Sequence, residues 1–232
     1  MKAILWDMDG TLVDTEPRWG EATYAMTAEM GRDLTPEVRE KTIGGIAENT
    51  VRICADHAGL VLDDAGVRTW VDRLYMIVSD LFLADLPLCP GISELLRDGA
   101  ATVPMMVVTN TYRTLTDRAL SIIGADFFTG SICGDEVTVG KPGPEPYRTA
   151  CDRLGLAPDD CLVVEDSTNG MRSAVAAGCR VLGVPSSGTP VPHGAVALGV
   201  LRPNRRDLGG MSVADLQDIW GRIGTSAVDV QE

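Results

Sequence analysis

The sequence predicts an α/β fold in which a doubly wound parallel sheet carries an inserted helical domain. Short, nearly continuous apolar runs recur far apart along the chain, which is typical of parallel strands buried on both faces. Helical patterns fall between the later runs, and several of them end at a glycine, a common stop signal for helices. Residues 16–86 carry a helical pattern and no convincing strand pattern. We therefore expect this stretch to form the inserted domain.

Each strand of the sheet is predicted from an apolar run. These runs are Ala3–Trp6, Met105–Thr109, Leu162–Glu165 and Val181–Val184, with a weaker one near Ala197–Leu201. The helices expected among them are Ile92–Arg97, Thr114–Ile123, Glu145–Leu154 and Gly170–Ala177. Such alternation places helices on both faces of a parallel sheet. From about Gly224 to Glu232 we expect a loose tail.

The helical insert is bordered by prolines, Pro17 at its start and Pro87 at its return. We predict two domains, with residues 1–15 and 87–232 as the α/β core and residues 16–86 as a helical cap. A cap inserted after the first strand is expected above the C-terminal edge of the sheet, where α/β folds bind ligands. Apolar residues at helical spacing mark its buried faces: Trp19, Ala22, Met26 and Met30, then Val71, Leu74, Tyr75, Val78, Leu81 and Phe82.

Composition and charge limit the partners that the chain can bind. The 232 residues are 45% apolar, enough for a large core, and they carry a net charge of −13 with a pI near 4.5. This acidic balance argues against nucleic acids and anionic membranes as partners, because both require a cationic face. A small phosphorylated molecule stays open as a partner, since one metal ion and a few donors reverse the local field.

The cysteines are expected to be reduced core residues of a cytoplasmic protein. None forms a C-x-x-C pair, and no His stands near them at the spacing of a zinc site. Asp7 interrupts the first apolar stretch, so we expect no signal peptide, and no stretch reaches the length of a membrane span. The six residues are Cys54, Cys89, Cys133, Cys151, Cys161 and Cys179.

The first strand pattern runs directly into two carboxylates, in the segment Asp7-Met8-Asp9-Gly10-Thr11. Because side chains alternate along a strand, Asp7 and Asp9 leave it on the same side. Two like charges held this close imply a bound cation, a proton kept on one of them, or both. Gly10 allows the backbone to turn sharply near a ligand, and Thr11 adds a hydroxyl.

Polar residues also follow the later strands. Thr109-Asn110 ends the second predicted strand, and Glu165-Asp166 ends the third, with Ser167 as a helix N-cap. Lys141 comes between these segments. It stands between a Gly and a Pro, which are expected to fix its position. Since parallel strands end at one edge of the sheet, these residues are expected to converge there with Asp7 and Asp9. The set offers carboxylates for Mg²⁺, donors for phosphate oxygens and a cation for developing charge.

In their order along the chain, the segments DMDGTL, VVTN, KPGPEPY and VEDSTNG resemble the four motifs of the haloacid dehalogenase-like superfamily. The resemblance covers the chain from Ala3 to about Leu201. The insert resembles the small helical cap of the branch that contains sugar phosphatases and β-phosphoglucomutase. Membership would imply a Rossmann-like core, Mg²⁺ as cofactor and a small phosphorylated metabolite as substrate. The dehalogenases lack an acid at the position of Asp9, so its presence favours phosphoryl chemistry.

The resemblance also implies individual roles. Asp7 is the nucleophile that forms an aspartyl-phosphate, and Asp9 is the general acid and then the general base. Lys141 neutralises charge on Asp7 and the phosphoryl group, while Thr109 and Asn110 hold phosphoryl oxygens. The metal group consists of Asp7, Asp166, the backbone carbonyl of Asp9, and Glu165, which supports the others.

The choice between a phosphatase and a phosphosugar mutase depends on the cap, because a mutase must hold a second phosphate. The mutase branch has a His in the linker where this chain has Trp19. It also has an Arg in the cap loop, where Thr42–Ala47 contains neither Arg nor Lys, although Lys41 and Arg52 flank the loop. We therefore predict a Mg²⁺-dependent phosphatase of small phosphorylated metabolites, sugar phosphates among them. A β-phosphoglucomutase-like mutase is the alternative.

Three cap residues, Trp19, Gly44 and Gly45, are candidates for shaping the substrate pocket. Trp19 can equally be a core anchor of the first cap helix, and the two glycines can form an ordinary turn between helices. A further interpretation is a phospho-accepting receiver-like signalling module, which also groups strand-end acids with Thr and Lys. The helical insert, the chain length and the DGT turn argue against it. A binding protein without activity is disfavoured, because no motif residue is missing.

Overall fold

The structure is a computed structural model that describes residues 1–43 and 45–226. The chain forms two compact units. The first consists of Met1–Asp14 and the chain from Pro87 onward, and the second is Thr15–Leu86.

Strands and helices are numbered along the described chain. The strands β1 to β6 are Ala3–Trp6, Met105–Val108, Ser131–Ile132, Cys161–Glu165, Arg180–Gly183 and Ala195–Ala197. The helices α1 to α10 are Glu16–Glu29, Pro36–Glu40, Ala47–Ala58, Asp64–Ala84, Ile92–Gly99, Arg113–Ile123, Glu145–Leu154, Thr168–Ala177, Leu198–Leu201 and Val213–Ser226.

A six-stranded sheet is the centre of the first unit, and all its pairings are parallel. The strand order is β3-β2-β1-β4-β5-β6. The chain winds outward from β1 to β3, returns to the other side of β1 and winds outward again from β4 to β6. The winding therefore reverses between β1 and β4, and α/β sheets bind ligands beyond the carboxyl ends of the strands at such a point. The predicted doubly wound α/β class is confirmed.

Burial on both faces explains the continuous apolar strands. Every residue of β1, β2 and β4 is buried. On one face, Leu5 and Val163 pack in a single cluster with Tyr147 of α7 and Met171 of α8. A strand covered on both sides has no solvent face for polar residues, so its sequence does not alternate.

Most predicted elements of the first unit agree with the structure within two residues at each end. The prediction of a weaker strand near Ala197–Leu201 was wrong in part, because the strand is Ala195–Ala197 and Leu198–Leu201 is a helical turn. An uninterrupted apolar run fits a buried strand and a buried helix equally well. Strand β3 was missed, since two residues are too few to show a period.

The predicted loose tail was also wrong where it can be compared. Helix α10 continues to Ser226. Its residues Leu216, Ile219 and Ile223 are buried, so packing stabilises the end of the helix, where a loose tail was predicted. Residues 227–232 lie outside the described residues.

The second unit is helical, as predicted, and no strand occurs in its described residues, 15–43 and 45–86. Helices α1 and α4 form its main packing pair, with Met26, Leu74 and Val78 fully buried. The Arg73 guanidinium of α4 also bonds the Glu29 carboxylate of α1. Helix α4 begins at a capped end, where the Asp63 carboxylate accepts a hydrogen bond from Gly66 N at 2.7 Å.

Within the part of the chain that the structure describes, none of the helices has the length and apolar character needed to cross a membrane. The six cysteines are free thiols; five of them are buried and Cys89 is half-buried. The expectation of reduced, mainly buried cysteines is confirmed in this respect.

Candidate active site

The switch point of the sheet places Asp7 beside the end of β4. Strand β1 pairs with β4 through Trp6 and Val164, and the Asp7 N–H donates to the Val164 carbonyl at 3.1 Å. Asp7 therefore leaves β1 next to Glu165, the last residue of β4. The strand register thus brings together two residues that the sequence predicts at one sheet edge.

Lys141 reaches this point from the loop before α7. Its Nζ donates to Asp7 Oδ1 at 2.6 Å, to Glu165 Oε1 at 2.7 Å and to the Val108 carbonyl at 2.8 Å. An ammonium has three N–H donors, so these three acceptors satisfy it fully. The side chains of Lys141, Asp7 and Glu165 are 4%, 9% and 0% exposed. The three form a buried charged group with an excess of negative charge.

A fourth charged residue, Asp166, completes a potential metal group. Asp7, Glu165 and Asp166 each offer one carboxylate oxygen, and these oxygens lie within 4.8 Å of one another. If all three are ionised, one ammonium leaves two negative charges uncompensated. Carboxylate oxygens in this number suit a hard divalent cation that also keeps water and a phosphate oxygen. The donor set therefore fits Mg²⁺.

The pKa values reflect this uncompensated charge. Burial, and then the neighbouring Glu165 carboxylate, raise the pKa of Asp7 well above its usual range. The same two causes raise the pKa of Asp166 to about 7. Burial alone would lower the pKa of Lys141, but the Asp7 and Glu165 carboxylates outweigh it and raise that pKa. The lysine is thus held as a cation, while the carboxylates lack enough positive charge.

Gly10 gives Asp166 the space it occupies. Its backbone has φ +86°, and a Cβ at this position would lie 2.4 Å from Asp166 Oδ2. Thr11, the next residue, directs its hydroxyl towards Asp166 Oδ1 at 3.5 Å. The DGT turn therefore packs directly against the second acidic segment, which explains why glycine stands there.

Asp9 is held by a different set of groups. Its Oδ2 accepts a hydrogen bond from the Thr111 hydroxyl at 2.8 Å and a longer one from the Thr109 hydroxyl at 3.3 Å. Both threonines are buried at the end of β2. The two carboxylates of the DxD segment therefore have separate environments, with Asp7 bonded to an ammonium and Asp9 to hydroxyls.

Asn110 connects two of the predicted motifs. Its side-chain amide donates to the Lys141 carbonyl at 3.1 Å and accepts from Lys141 N at 2.8 Å. A Cβ on Gly140 would lie 2.8 Å from Asn110 Oδ1, so glycine before Lys141 permits this close pairing. The Asn110 side chain thus fixes the backbone that carries the lysine.

Glu165 accepts four hydrogen bonds. Oε1 receives Lys141 Nζ and, at 3.1 Å, the Tyr147 hydroxyl. Oε2 receives Ser167 N at 3.0 Å and Ser167 Oγ at 2.9 Å. Ser167 Oγ also accepts from Gly170 N at 3.0 Å, so the predicted N-cap of α8 is confirmed. This carboxylate is therefore strongly bound by protein donors.

The predicted cap residues lie in the second unit. Trp19 is half-buried on α1 and makes an edge-to-face contact with Tyr75 of α4, with ring centroids 5.9 Å apart. This contact between α1 and α4 is consistent with Trp19 as a core anchor of the first cap helix. A Cβ on Gly45 would meet only ordinary contacts, the nearest at 3.5 Å, so space does not require glycine there. Gly44 lies outside the described residues.

Two residues of the site were not singled out from the sequence. Thr111 extends the VVTN segment by one position, and its alternation with Thr109 was the available signal, since both face one side of the strand end. Tyr147 is the last residue of KPGPEPY, but an aromatic residue on an amphipathic helix usually signals core packing.

The fold and the site define the chain as an α/β protein with a buried acidic site at the switch point of its sheet. Residues 1–178 match the haloacid dehalogenase-like hydrolases. Protein CbbY (plasmid) of Cupriavidus necator is 32% identical over 203 residues, which cover 81% of this chain and 79% of that protein. A phosphorylated carbohydrates phosphatase of Thermotoga maritima is 29% identical over 187 residues, covering 79% and 85%.

Solved structures agree with these relatives. The crystal structure of CbbY from Rhodobacter sphaeroides in complex with phosphate has a TM-score of 0.80 and 25% identity, and it covers 94% of this chain and 99% of that chain. The chain therefore belongs to the haloacid dehalogenase-like hydrolase family. The predicted family and enzyme class are confirmed.

Proposed function

We propose that the chain is a Mg²⁺-dependent phosphatase that hydrolyses small phosphorylated metabolites through an aspartyl-phosphate on Asp7. One observation carries the proposal. The buried Asp7 carboxylate meets the Lys141 ammonium at 2.6 Å beside further carboxylates, while hydroxyls hold the Asp9 carboxylate separately. The names of relatives such as the Thermotoga phosphatase support the substrate class.

Asp7, Asp166 and the backbone carbonyl of Asp9 are the proposed Mg²⁺ ligands. Glu165 is assigned a supporting role, because four protein donors already bind its carboxylate. When bound, Mg²⁺ supplies positive charge that offsets the phosphoryl oxygens and orients them for displacement.

The first step forms the covalent intermediate. An Asp7 oxygen attacks phosphorus, the bond from phosphorus to the substrate oxygen breaks, and protonated Asp9 gives its proton to the leaving alcohol. Lys141 stabilises charge on Asp7 and on the phosphoryl oxygens. Thr109 and Asn110 are proposed to hold those oxygens, with Asn110 acting through its backbone N–H because its side chain bonds the Lys141 backbone.

The second step regenerates the enzyme. Asp9, now a carboxylate, takes a proton from water as the water oxygen attacks phosphorus. The bond from phosphorus to Asp7 breaks, and inorganic phosphate leaves. Asp9 thus gives one proton to the leaving alcohol and later takes another from water, a role separate from that of the nucleophile, and its hydroxyl partners support this division.

We also propose that the helical unit acts as the cap that selects the substrate, with Trp19, Gly44 and Gly45 contributing to the choice. Replacing Trp19 by Ala should change kcat/KM unequally across a panel of phosphorylated metabolites. The matched control is Tyr24→Ala, because Tyr24 is an exposed aromatic residue on the same helix. Equal changes for every substrate in the panel would remove Trp19 from substrate selection.

The proposed reaction is tested with p-nitrophenyl phosphate. The purified protein should release phosphate when Mg²⁺ is present and not when it is chelated. Asp7→Asn should abolish release, and Asp9→Asn should retain Mg²⁺ binding while losing most turnover. Asp117→Asn, an exposed carboxylate on α6, is the matched control and should behave as the parent protein.

Two outcomes would contradict the phosphatase. Conversion of β-glucose 1-phosphate into glucose 6-phosphate with little free phosphate would identify a mutase. A long-lived adduct with acetyl phosphate and no steady turnover would identify a receiver-like module.

A further inference from the structure

Tyr147 is a fully buried tyrosine whose hydroxyl reaches the active site. It lies in the first turns of α7, and its ring packs in the core cluster between that helix and the sheet. A buried phenol needs a partner for its O–H. Tyr147 donates to Glu165 Oε1 at 3.1 Å, the same oxygen that accepts Lys141 Nζ at 2.7 Å.

The ring of Tyr147 makes a second contact with the same lysine. Lys141 Nζ lies over the ring, 5.0 Å from its centroid, within the range of a cation–π interaction. Tyr147 therefore touches the Lys141 ammonium directly through its ring and indirectly through Glu165. Neither contact involves Asp7, towards which the ammonium also points at 2.6 Å.

We propose that Tyr147 is a positioning residue that sets how Lys141 is shared between Asp7 and Glu165. The inference rests on the proposed phosphoryl transfer at Asp7. Two carboxylates compete for one ammonium. By donating a hydrogen bond to the Glu165 oxygen, the Tyr147 hydroxyl reduces the negative charge that this oxygen presents to Lys141. Without that hydroxyl, Glu165 attracts Lys141 more strongly, so Asp7 and the phosphoryl group lose part of their compensating charge.

A purely structural Tyr147 would act differently. The ring fills the core, and Phe fills the same volume without the hydroxyl. If packing were its whole role, Tyr147→Phe would leave turnover unchanged. The substitution therefore separates the two roles without opening a cavity.

The kinetic test compares Tyr147→Phe with Cys151→Ala. Tyr147→Phe should lower kcat about tenfold, the scale of one hydrogen bond to a charged group, with little change in KM or in the Mg²⁺ concentration for half activation. Cys151 is the matched control, since it lies one turn further along α7 in the same core, and its thiol contacts Cys161 and Cys179 instead of Glu165. Cys151→Ala should lower the melting temperature and leave kcat near the parent value.

A second readout does not depend on turnover. Hydrogen exchange of the Lys141 ammonium, followed by ¹⁵N NMR, should be slow in the parent protein and faster in Tyr147→Phe, because the hydrogen bond from Lys141 to Asp7 weakens. Unchanged exchange, or a parental kcat in an active Tyr147→Phe protein, would overturn the inference, as would an equal loss of kcat in Cys151→Ala. If the parent protein itself releases no phosphate, the proposed function fails, and ammonium exchange alone then decides whether Tyr147 positions Lys141.

Discussion

Asp7 and Asp9 are two residues apart and have different partners. Asp7 is bonded to an ammonium and lies next to Glu165, whereas Asp9 accepts hydrogen bonds from Thr109 and Thr111. In the proposed mechanism this difference separates the nucleophile from the proton carrier. The Lys141 ammonium is fixed on the Asp7 carboxylate, whereas hydroxyl groups hold the Asp9 carboxylate apart from it.

At the residue scale, Gly10 offers a sharp test of the proposed metal site. Gly10→Ala places a Cβ 2.4 Å from Asp166 Oδ2 and should displace that carboxylate. We expect the Mg²⁺ concentration for half activation to rise at least about tenfold. Gly155→Ala is the matched control, because Gly155 also has positive φ, +65°, but no atom beyond its chain neighbours lies within 4 Å of its Cβ position. It should cost about 1 kcal/mol in the free energy of unfolding and leave Mg²⁺ activation unchanged. Equal effects on Mg²⁺ activation would refute the role of Gly10.

The sequence predicted which residues meet at the site but not how they bond to one another. The meeting of Asp7 and Glu165 follows from the rule that parallel strands end at one edge. The hydrogen bonds between the Asn110 amide and the Lys141 backbone do not follow from this rule. They join two loops whose conformations no local pattern specifies. Alternation with Thr109 places Thr111 on the same side of the strand end, but its partner Asp9 lies on another strand end, so the hydrogen bond between them was not predicted.

At the element scale, the start of α8 combines a helix cap with support for the site. Ser167 Oγ accepts from Gly170 N and donates to Glu165 Oε2. Ser167→Ala should therefore lower the free energy of unfolding by about 1 kcal/mol and lower kcat about three- to tenfold. Asp63→Ala removes the cap of α4 and is the control, with a similar loss of stability and a parental kcat. Loss of kcat in proportion to stability in both variants would refute a specific role for Ser167.

Element bounds were predictable where an amphipathic or apolar pattern is long enough to repeat. The helix Glu145–Leu154 was predicted at its observed bounds, because proline marks its start and Gly155 its end. Strand β3 and the helical turn Leu198–Leu201 were not predicted, since tertiary packing decides between strand and helix in short apolar runs.

For the whole molecule, we expect the acidic site to link stability to pH and to Mg²⁺. The pKa of Asp166 is raised from 3.8 to about 7, first by burial and then by Glu165. Between these values the folded state holds a proton that the unfolded chain has lost. The metal-free protein should therefore lose stability as the pH rises from about 4 to about 7.

Mg²⁺ should reverse this loss, because a cation replaces the proton as the partner of the carboxylate. Added Mg²⁺ should raise the melting temperature more at about pH 8 than at about pH 5, where it must displace a proton. Calorimetric unfolding at both pH values measures the effect, and Asp166→Asn should remove most of it. An equal rise at both pH values would contradict a metal site at Asp166.

The central claim is that phosphate is carried on Asp7, and trapping tests it most directly. The Asp9→Asn variant should still accept phosphate from p-nitrophenyl phosphate, because nitrophenolate leaves without a proton, but it lacks the base for hydrolysis. The phosphoenzyme should accumulate, and borohydride reduction followed by peptide mass spectrometry should find homoserine at position 7. Release of phosphate with no adduct, or an adduct on another residue, would contradict the account.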